Sequence, residues 1–339
     1  MTVQTSTSEQ DLAHNQAIMR ASTIDRYGSA DVLTLKKIER PKCGPDDVVV
    51  AVRAASINPY DWHNMTGTPL LMRIGGGWQA PKSNLFGLDV AGVIESVGRN
   101  VTKFALGDEV FGCAAGAFAE YVNANIDTLV RKPSNISFEE AAAVPVAALT
   151  AVQGLRDHGH LTPGQRVIIN GASGGVGTYA VQLAKYFGAE VTGVCSTKNV
   201  EMVRALGADH VIDYIMDDFT ARGIEYDLIL DNIGNRQISH YKRCLTPSGS
   251  YIAVGAPKGR ILGPVPHMLK ALLAFKFGTR HAAVFMAQQT PSDLALFSEL
   301  LESGAMRSAI DTIYPLDEIA AAFRHLETGH ARGKIIIKV

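Results

Sequence analysis

The sequence predicts an α/β chain: a barrel-like, mostly-β unit followed by a doubly wound parallel-sheet unit. Three observations predict it. Short β-branched runs punctuated by glycine fill the stretch up to about residue 137. Apolar strands then alternate with helical patterns from 166 to about 287, the arrangement that covers a parallel sheet on both faces. Within that region one glycine-dense turn joins an apolar run directly to a helix.

Residues 1–16 are polar and include Glu9 and Asp11. They lack the apolar core of a signal peptide and the arginine-rich look of a transit peptide, and are read as a disordered arm. Residues 17–137 form the barrel-like unit, with strands at 47–55, 88–97 and 108–112 and corner glycines at 87, 92, 98, 107, 112 and 116. Ser137 followed by Glu140 resembles a capping box, and an alanine-rich helix opens the 138–290 unit. Strands are expected there at 166–170, 190–196, 210–213, 226–231, 250–255 and 282–287, with helices at 178–187, 200–206 and 238–244. Residues 291–339 add a helix ending near Gly304, another at 317–328 and a last strand at 334–339, and return to the first unit.

The chain of 339 residues balances 32 basic against 33 acidic side chains. That balance builds no field for a polyanion, so nucleic acid is excluded as a main partner. Cys43, Cys113, Cys195 and Cys244 are scattered and form no CxxC pair, which supports neither a disulfide scaffold nor a structural zinc lobe. A reducing compartment fits them, and a cytoplasmic location is expected. The apolar segment 261–277 is interrupted by Pro264, Pro266, His267, Lys270 and Lys276, so no transmembrane segment is expected there.

The turn itself reads Gly171, Ala172, Ser173, Gly174, Gly175, Val176, Gly177. Such a strand–turn–helix brings backbone N–H groups and a positive helix N-terminus against a pyrophosphate. A dinucleotide is the ligand it implies. A carboxylate that takes ribose hydroxyls usually follows the second strand, but here that place reads Ser196-Thr197-Lys198. Hydroxyls with one lysine suit a 2′-phosphate, so NADPH is expected. The alternative is that Ser196 and Thr197 cap the next helix and Lys198 is a solvated charge. Asn232 and Gly255 follow the fourth and fifth strands, at the edge where ligands bind in open α/β sheets.

Several longer motifs stand in a familiar order: 55–62 (ASINPYDW), 86–98 (FGLDVAGVIESVG), 107–110, the 171–177 turn, 206–214 and 329–334. With them the chain resembles the medium-chain dehydrogenase/reductase superfamily, in its zinc-free quinone-oxidoreductase branch near the reticulon-interacting proteins. The resemblance implies a GroES-like catalytic unit, a Rossmann cofactor unit and a homodimer. Zinc relatives carry Cys where this chain has Asn58, and Gly-His-Glu where it has Gly87-Leu88-Asp89, so no metal is expected.

The implied activity is hydride transfer from NADPH to a quinone or an α,β-unsaturated carbonyl, with a small hydrophobic carbonyl or quinone as substrate. Reduction of a ketone or aldehyde, or oxidation of a secondary alcohol, is the alternative chemistry. A non-catalytic NADPH-binding sensor or structural protein is the alternative class. The resemblance points to Asn58 as a donor to the substrate or ribose and to Thr150 on the nicotinamide side. It puts Tyr214 beside the adenosine phosphate. Asn58 before Pro59 is also an ordinary turn residue. Tyr60 is read as a proton donor or as a pocket wall. Thr150 has the alternative of bonding its own helix backbone. Arg332 and Lys334 are read as closing over a cofactor phosphate or as solvated charges. For 261–277, a mobile flap over a greasy substrate and an inter-domain packing helix both fit.

Overall fold

The computed structural model describes residues 17–255, 263 and 265–339; the arm expected at 1–16 lies outside the described residues. The second unit is built on a six-stranded parallel sheet. Its strands run in the order His210–Asp213, Glu190–Cys195, Arg166–Asn170, Tyr226–Asp231, Leu245–Ala253, His281–Val284. That is the 3-2-1-4-5-6 order of a doubly wound fold, whose ligand crevice opens where the winding reverses. Here the reversal falls between Asn170 and Asp231.

The alternation within each strand explains the two covered faces. Val167, Ile169, Leu228, Leu230 and Ile252 join one core beneath the helices Pro145–Val152 and Gly175–Tyr186. Ile168, Ile229, Tyr251 and Ala253 join the other core.

Several boundaries differ from the sequence reading. The alanine-rich helix is two pieces, Phe138–Ala142 and Pro145–Val152, because Pro145 has no N–H to continue the first. The first piece is capped as expected, Ser137 Oγ accepting from Glu140 N at 3.1 Å. The helix expected at 178 starts at Gly175, where glycine costs little because the first-turn N–H groups have no helical partner anyway. The fifth strand, expected at 250–255, runs Leu245–Ala253; Pro247 and Gly249 fall in a register shift opposite Tyr226 and Leu228.

In the first unit the long strand Asp47–Ile57 pairs antiparallel with Asp89–Val97, with Tyr121–Asn125 and with Lys334–Lys338. The last of these also pairs with Ile310–Pro315, so residues from the far end of the chain lie inside the first unit's sheet. This return brings Gly333 against the glycine turn, its N–H donating to Ser173 O at 2.9 Å. The helix Val265–Ala274 packs on the parallel sheet through Ala271, and Phe275 just beyond it stacks on Tyr251. It is therefore a cover of its own sheet, although Gly263 reaches Pro69 of the first unit. No helix of the described residues is long and apolar enough to cross a membrane.

Candidate functional site

A cavity of about 650 Å³ lies outside the carboxyl ends of the central strands and between the two units. Gly171, Gly174, Gly175, Val176 and Gly177 line it from the turn, and Asn232 and Gly255 from the sheet edge. Asn58 and Lys334 close it from the first unit.

The turn is compact for a reason visible atom by atom. Gly171 adopts φ +79°, and a Cβ at Gly177 would stand 2.1 Å from Gly171 O. The helix can therefore start directly behind the turn, with its unpaired N–H groups at the cavity. Ala172 takes a different place from the one expected. It is fully buried and donates its N–H to Val194 O at 3.0 Å, so it anchors the turn and does not line the cavity.

The sheet edge is held by Asp231. Its buried carboxylate accepts from Asn170 Nδ2 (2.8 Å), Tyr251 Oη (2.7 Å) and the N–H groups of Ile233 and Gly234. Asn232 donates its amide to Asn170 O at 3.1 Å, while its Oδ1 is buried with no partner. An orphaned acceptor in a cavity wall calls for an N–H or O–H donor from a ligand. The chemistry of this wall fits a nicotinamide dinucleotide.

Ser196, Lys198 and Tyr214 sit outside this cavity, at an open corner. Asn199 Nδ2 donates to both Ser173 Oγ (3.0 Å) and Ser196 Oγ (3.2 Å). Both hydroxyls thus accept, and their own protons remain for a ligand oxygen. Lys198 is exposed, and Tyr214 is tied to the corner by its N–H to Cys195 O at 3.0 Å.

One carboxylate escapes the sequence reading. Asp213 stands opposite Cys195 in the parallel pairing and accepts from Thr197 Oγ1 at 2.5 Å. The signal was available: the last residue of the third strand always lies beside the end of the second.

The front wall holds the largest correction. Lys334 does not reach toward a phosphate. The residue is 3% exposed, and its ammonium lies 2.5 Å from Asn58 Oδ1 and 3.2 Å from Asp89 Oδ2. Asp89, fully buried, also accepts from Ser56 Oγ (2.6 Å), Asn58 Nδ2 (2.9 Å) and Val146 N (2.9 Å). A buried carboxylate requires such a countercharge and donors, which is the physical reason the lysine turns inward. Asn58 is correspondingly engaged at both ends of its carboxamide. Arg332 is exposed.

Tyr60 is not brought together with Asn58. It is 42% exposed and lines a second cavity of about 300 Å³, which adjoins the first at His63. Thr150 does not line either cavity and donates its hydroxyl to Val146 O at 2.7 Å, the local bond a helical threonine makes. Asp61 accepts from Asn58 N at 2.8 Å, its Oδ1 has no partner, and burial pushes its carboxyl up to about 7 with Asp89 adding to the effect.

Zinc in such a place takes thiolate, imidazole or carboxylate ligands in a tetrahedral set. Here a carboxamide, a leucine at 88 and a carboxylate already paired with an ammonium occupy the positions. That donor set does not fit the metal. Among the described residues no group of three or more His, Cys, Asp or Glu side chains gathers to hold one.

A doubly wound sheet sharing a cavity with a barrel-like unit defines a two-unit protein of the dinucleotide-fold class. Residues 44–134 match the alcohol dehydrogenase GroES-like domain, and residues 206–337 match the zinc-binding dehydrogenase model. The chain is 34% identical to the mitochondrial NAD(P)H oxidoreductase RTN4IP1 of Bos taurus, over 95% of this chain and 89% of that protein. It is 32% identical to the 2-methylene-furan-3-one reductase of Solanum lycopersicum, over 94% of this chain and 79% of that one. Among solved structures, the quinone oxidoreductase of Coxiella burnetii superposes with a TM-score of 0.84 at 30% identity, covering 95% of this chain and 99% of the other. The chain belongs to the medium-chain dehydrogenase/reductase superfamily of oxidoreductases, in its quinone-oxidoreductase-like branch.

Proposed function

We propose that this chain is a zinc-independent, NADPH-dependent reductase of quinones or α,β-unsaturated carbonyls. The observation that carries the reading is the front wall, where a Lys334–Asp89 pair and the Asn58 carboxamide replace a metal-ligand set. Without a Lewis acid, stabilising an alkoxide is harder than stabilising a delocalised enolate or quinol anion, which hydrogen-bond donors suffice to meet. Relatives named as quinone oxidoreductases and as an enone reductase support the same reaction class.

A bound nicotinamide supplies the hydride. The helix N-terminus at Gly175 and the Gly171–Gly177 backbone bind the pyrophosphate, and Asn232 Oδ1 accepts from the cofactor. Ser196 and Lys198 take the 2′-phosphate, with Tyr214 beside them. The acceptor enters through the smaller cavity, where Tyr60 forms part of the wall; Asn58 offers its remaining N–H to the developing oxyanion in the larger cavity, and the proton comes from solvent.

The test follows NADPH consumption over a panel of quinones, enones and ketones with products identified. Quinols or saturated carbonyls are expected. Alcohols would mean carbonyl reduction instead, and tight NADPH binding with no consumption would mean a non-catalytic protein. In the same assay Lys198→Ala is expected to weaken NADPH by roughly tenfold, about 1.4 kcal/mol, with NADH little changed. Equal losses for both cofactors would remove the NADPH assignment.

We also infer a homodimer in a reducing, cytoplasmic setting. The four cysteines are free thiols. The edge strand His281–Val284 has no outer neighbour among the described residues, and Leu269, Leu272, Leu273, Phe277 and Met286 are exposed around it. An apolar patch beside an open edge suits a second copy. Sedimentation at micromolar concentration is expected to show twice the 36.3 kDa chain mass; a monomer there would remove the inference.

A further inference from the structure

Lys334 and Asn58 are 276 residues apart, yet their contact is fixed by the backbone. Ile335 pairs with Ile57 across the antiparallel ladder, so the residues just beyond, Lys334 and Asn58, face each other at the sheet's end. The Lys334 ammonium meets the Asn58 oxygen, and the Asp89 carboxylate meets the Asn58 nitrogen. Turning the carboxamide over would set its N–H₂ against an ammonium and its oxygen against a carboxylate. Both hydrogen bonds would be lost and two like-signed contacts made in a buried site, where each is costly. The ion pair therefore selects one of the two amide orientations.

We propose that Lys334 is a positioning residue for the reaction: with Asp89 it clamps the Asn58 carboxamide, oxygen inward, and leaves one N–H of that amide for the cavity Asn58 lines. Ser56 and Val146 complete the acceptors' needs of Asp89, so the carboxylate is held independently of the ligand. This role rests on the reductase reading only for its effect on turnover, and not for the clamp itself.

Lys334→Met alone would leave the Asp89 charge buried and unpaired, a change that by itself endangers folding. The informative variant removes both charges, Lys334→Met with Asp89→Asn, alongside Asn58→Ala and the triple variant. The Asn58 side-chain amide pair is read by NMR with selective asparagine labelling, assigned by its loss in Asn58→Ala. In the wild-type protein it is expected to be shifted from free-amide values and protected from exchange. In the double variant it is expected to collapse toward free values and exchange faster, with NADPH affinity within about threefold of wild type.

On an accepted quinone or enone, the double variant is expected to lose on the order of tenfold or more in kcat, approaching the roughly hundredfold cost of removing an oxyanion donor outright. Adding Asn58→Ala to it is expected to cost nothing further, because Lys334 acts through Asn58. An unchanged amide signal in the double variant overturns the clamp whatever the activity. Wild-type kcat in the double variant, or a multiplicative loss in the triple variant, overturns the positioning role. A wild-type protein inactive on every acceptor, with the amide signal still lost in the double variant, overturns the reductase reading and leaves the clamp standing.

Discussion

Replacing Gly174 with alanine is expected to weaken nicotinamide cofactor binding by roughly ten- to a hundredfold while moving the thermal midpoint by less than about 2 °C. The backbone there is ordinary, at φ −84°, and an added Cβ meets only Gly171 O at 3.6 Å, so nothing inside the protein is disturbed. Gly174 lines the large cavity, and the methyl group would stand where a pyrophosphate has to approach the backbone. Gly177→Ala is the contrasting case. Its Cβ would lie 2.1 Å from Gly171 O and 2.7 Å from Ala172 Cα, both backbone atoms fixed by the adjoining strand. Overpacking of this kind costs about 1–3 kcal/mol, and the midpoint is expected to fall by roughly 5 °C together with cofactor affinity. Thermal scans and fluorescence titration with NADPH separate the two. A Gly174→Ala variant that binds as tightly as wild type would show that the cofactor lies elsewhere.

The pH dependence of stability is expected to carry the signature of Asp61. Burial pushes its carboxyl up to about 7, with Asp89 raising it further and the Asn58 N–H and Lys334 opposing. In the unfolded chain the same group titrates near 4. Between those values the folded protein holds a proton that the unfolded chain has released. The Asp61 contribution to stability is therefore fully present below about pH 4 and is lost as the pH rises through 7. A three-unit span corresponds to at most ~4 kcal/mol. Asp31, Asp108, Asp209, Asp218 and Asp293 are shifted the other way, so their contributions are lost on acidification below about pH 4 and do not overlap this window. Urea unfolding of the wild type and Asp61→Asn at pH 5 and pH 8 measures the difference. The wild type is expected to be the more stable at pH 5 relative to pH 8, and the variant to lose that slope. Identical slopes would mean that Asp61 is ionised in the folded protein throughout.

The parallel sheet is legible in the sequence because its central strands are short, largely apolar runs, buried on both faces, and the 171–177 turn carries glycines with a steric task. The Leu245–Ala253 strand is less so, since Pro247 and Gly249 carry turn chemistry and fall in the register shift between the Tyr226–Leu245 and Leu228–Ser250 pairs. The turn and the Asn232–Gly255 edge are legible for the same reason as the sheet: they follow from strand order. What stays hidden is everything decided by pairing across long separations. Lys334 carries no local sign that Asp89 and Asn58 will claim it, and an exposed phosphate clamp is the natural reading of a lysine in that segment. Asp213 is the intermediate case: the doubly wound strand order places it beside the end of the second strand, but not its bond from Thr197. Tyr60 and Asn58 are two residues apart, yet the helix Pro59–Thr66 begins between them and sends them to different cavities.

The return of Lys334–Lys338 to the strand Asp47–Ile57 has a consequence for recombining this chain with its relatives. The parallel-sheet unit is in effect a cassette spliced into the other one, not a tail appended to it. A crossover in the middle of the gene, which exchanges everything downstream, would also replace the closing strands of the sheet it meant to keep, and with them the partner of Asn58. Grafting a different cofactor preference therefore calls for two breakpoints, with 310–339 left in place.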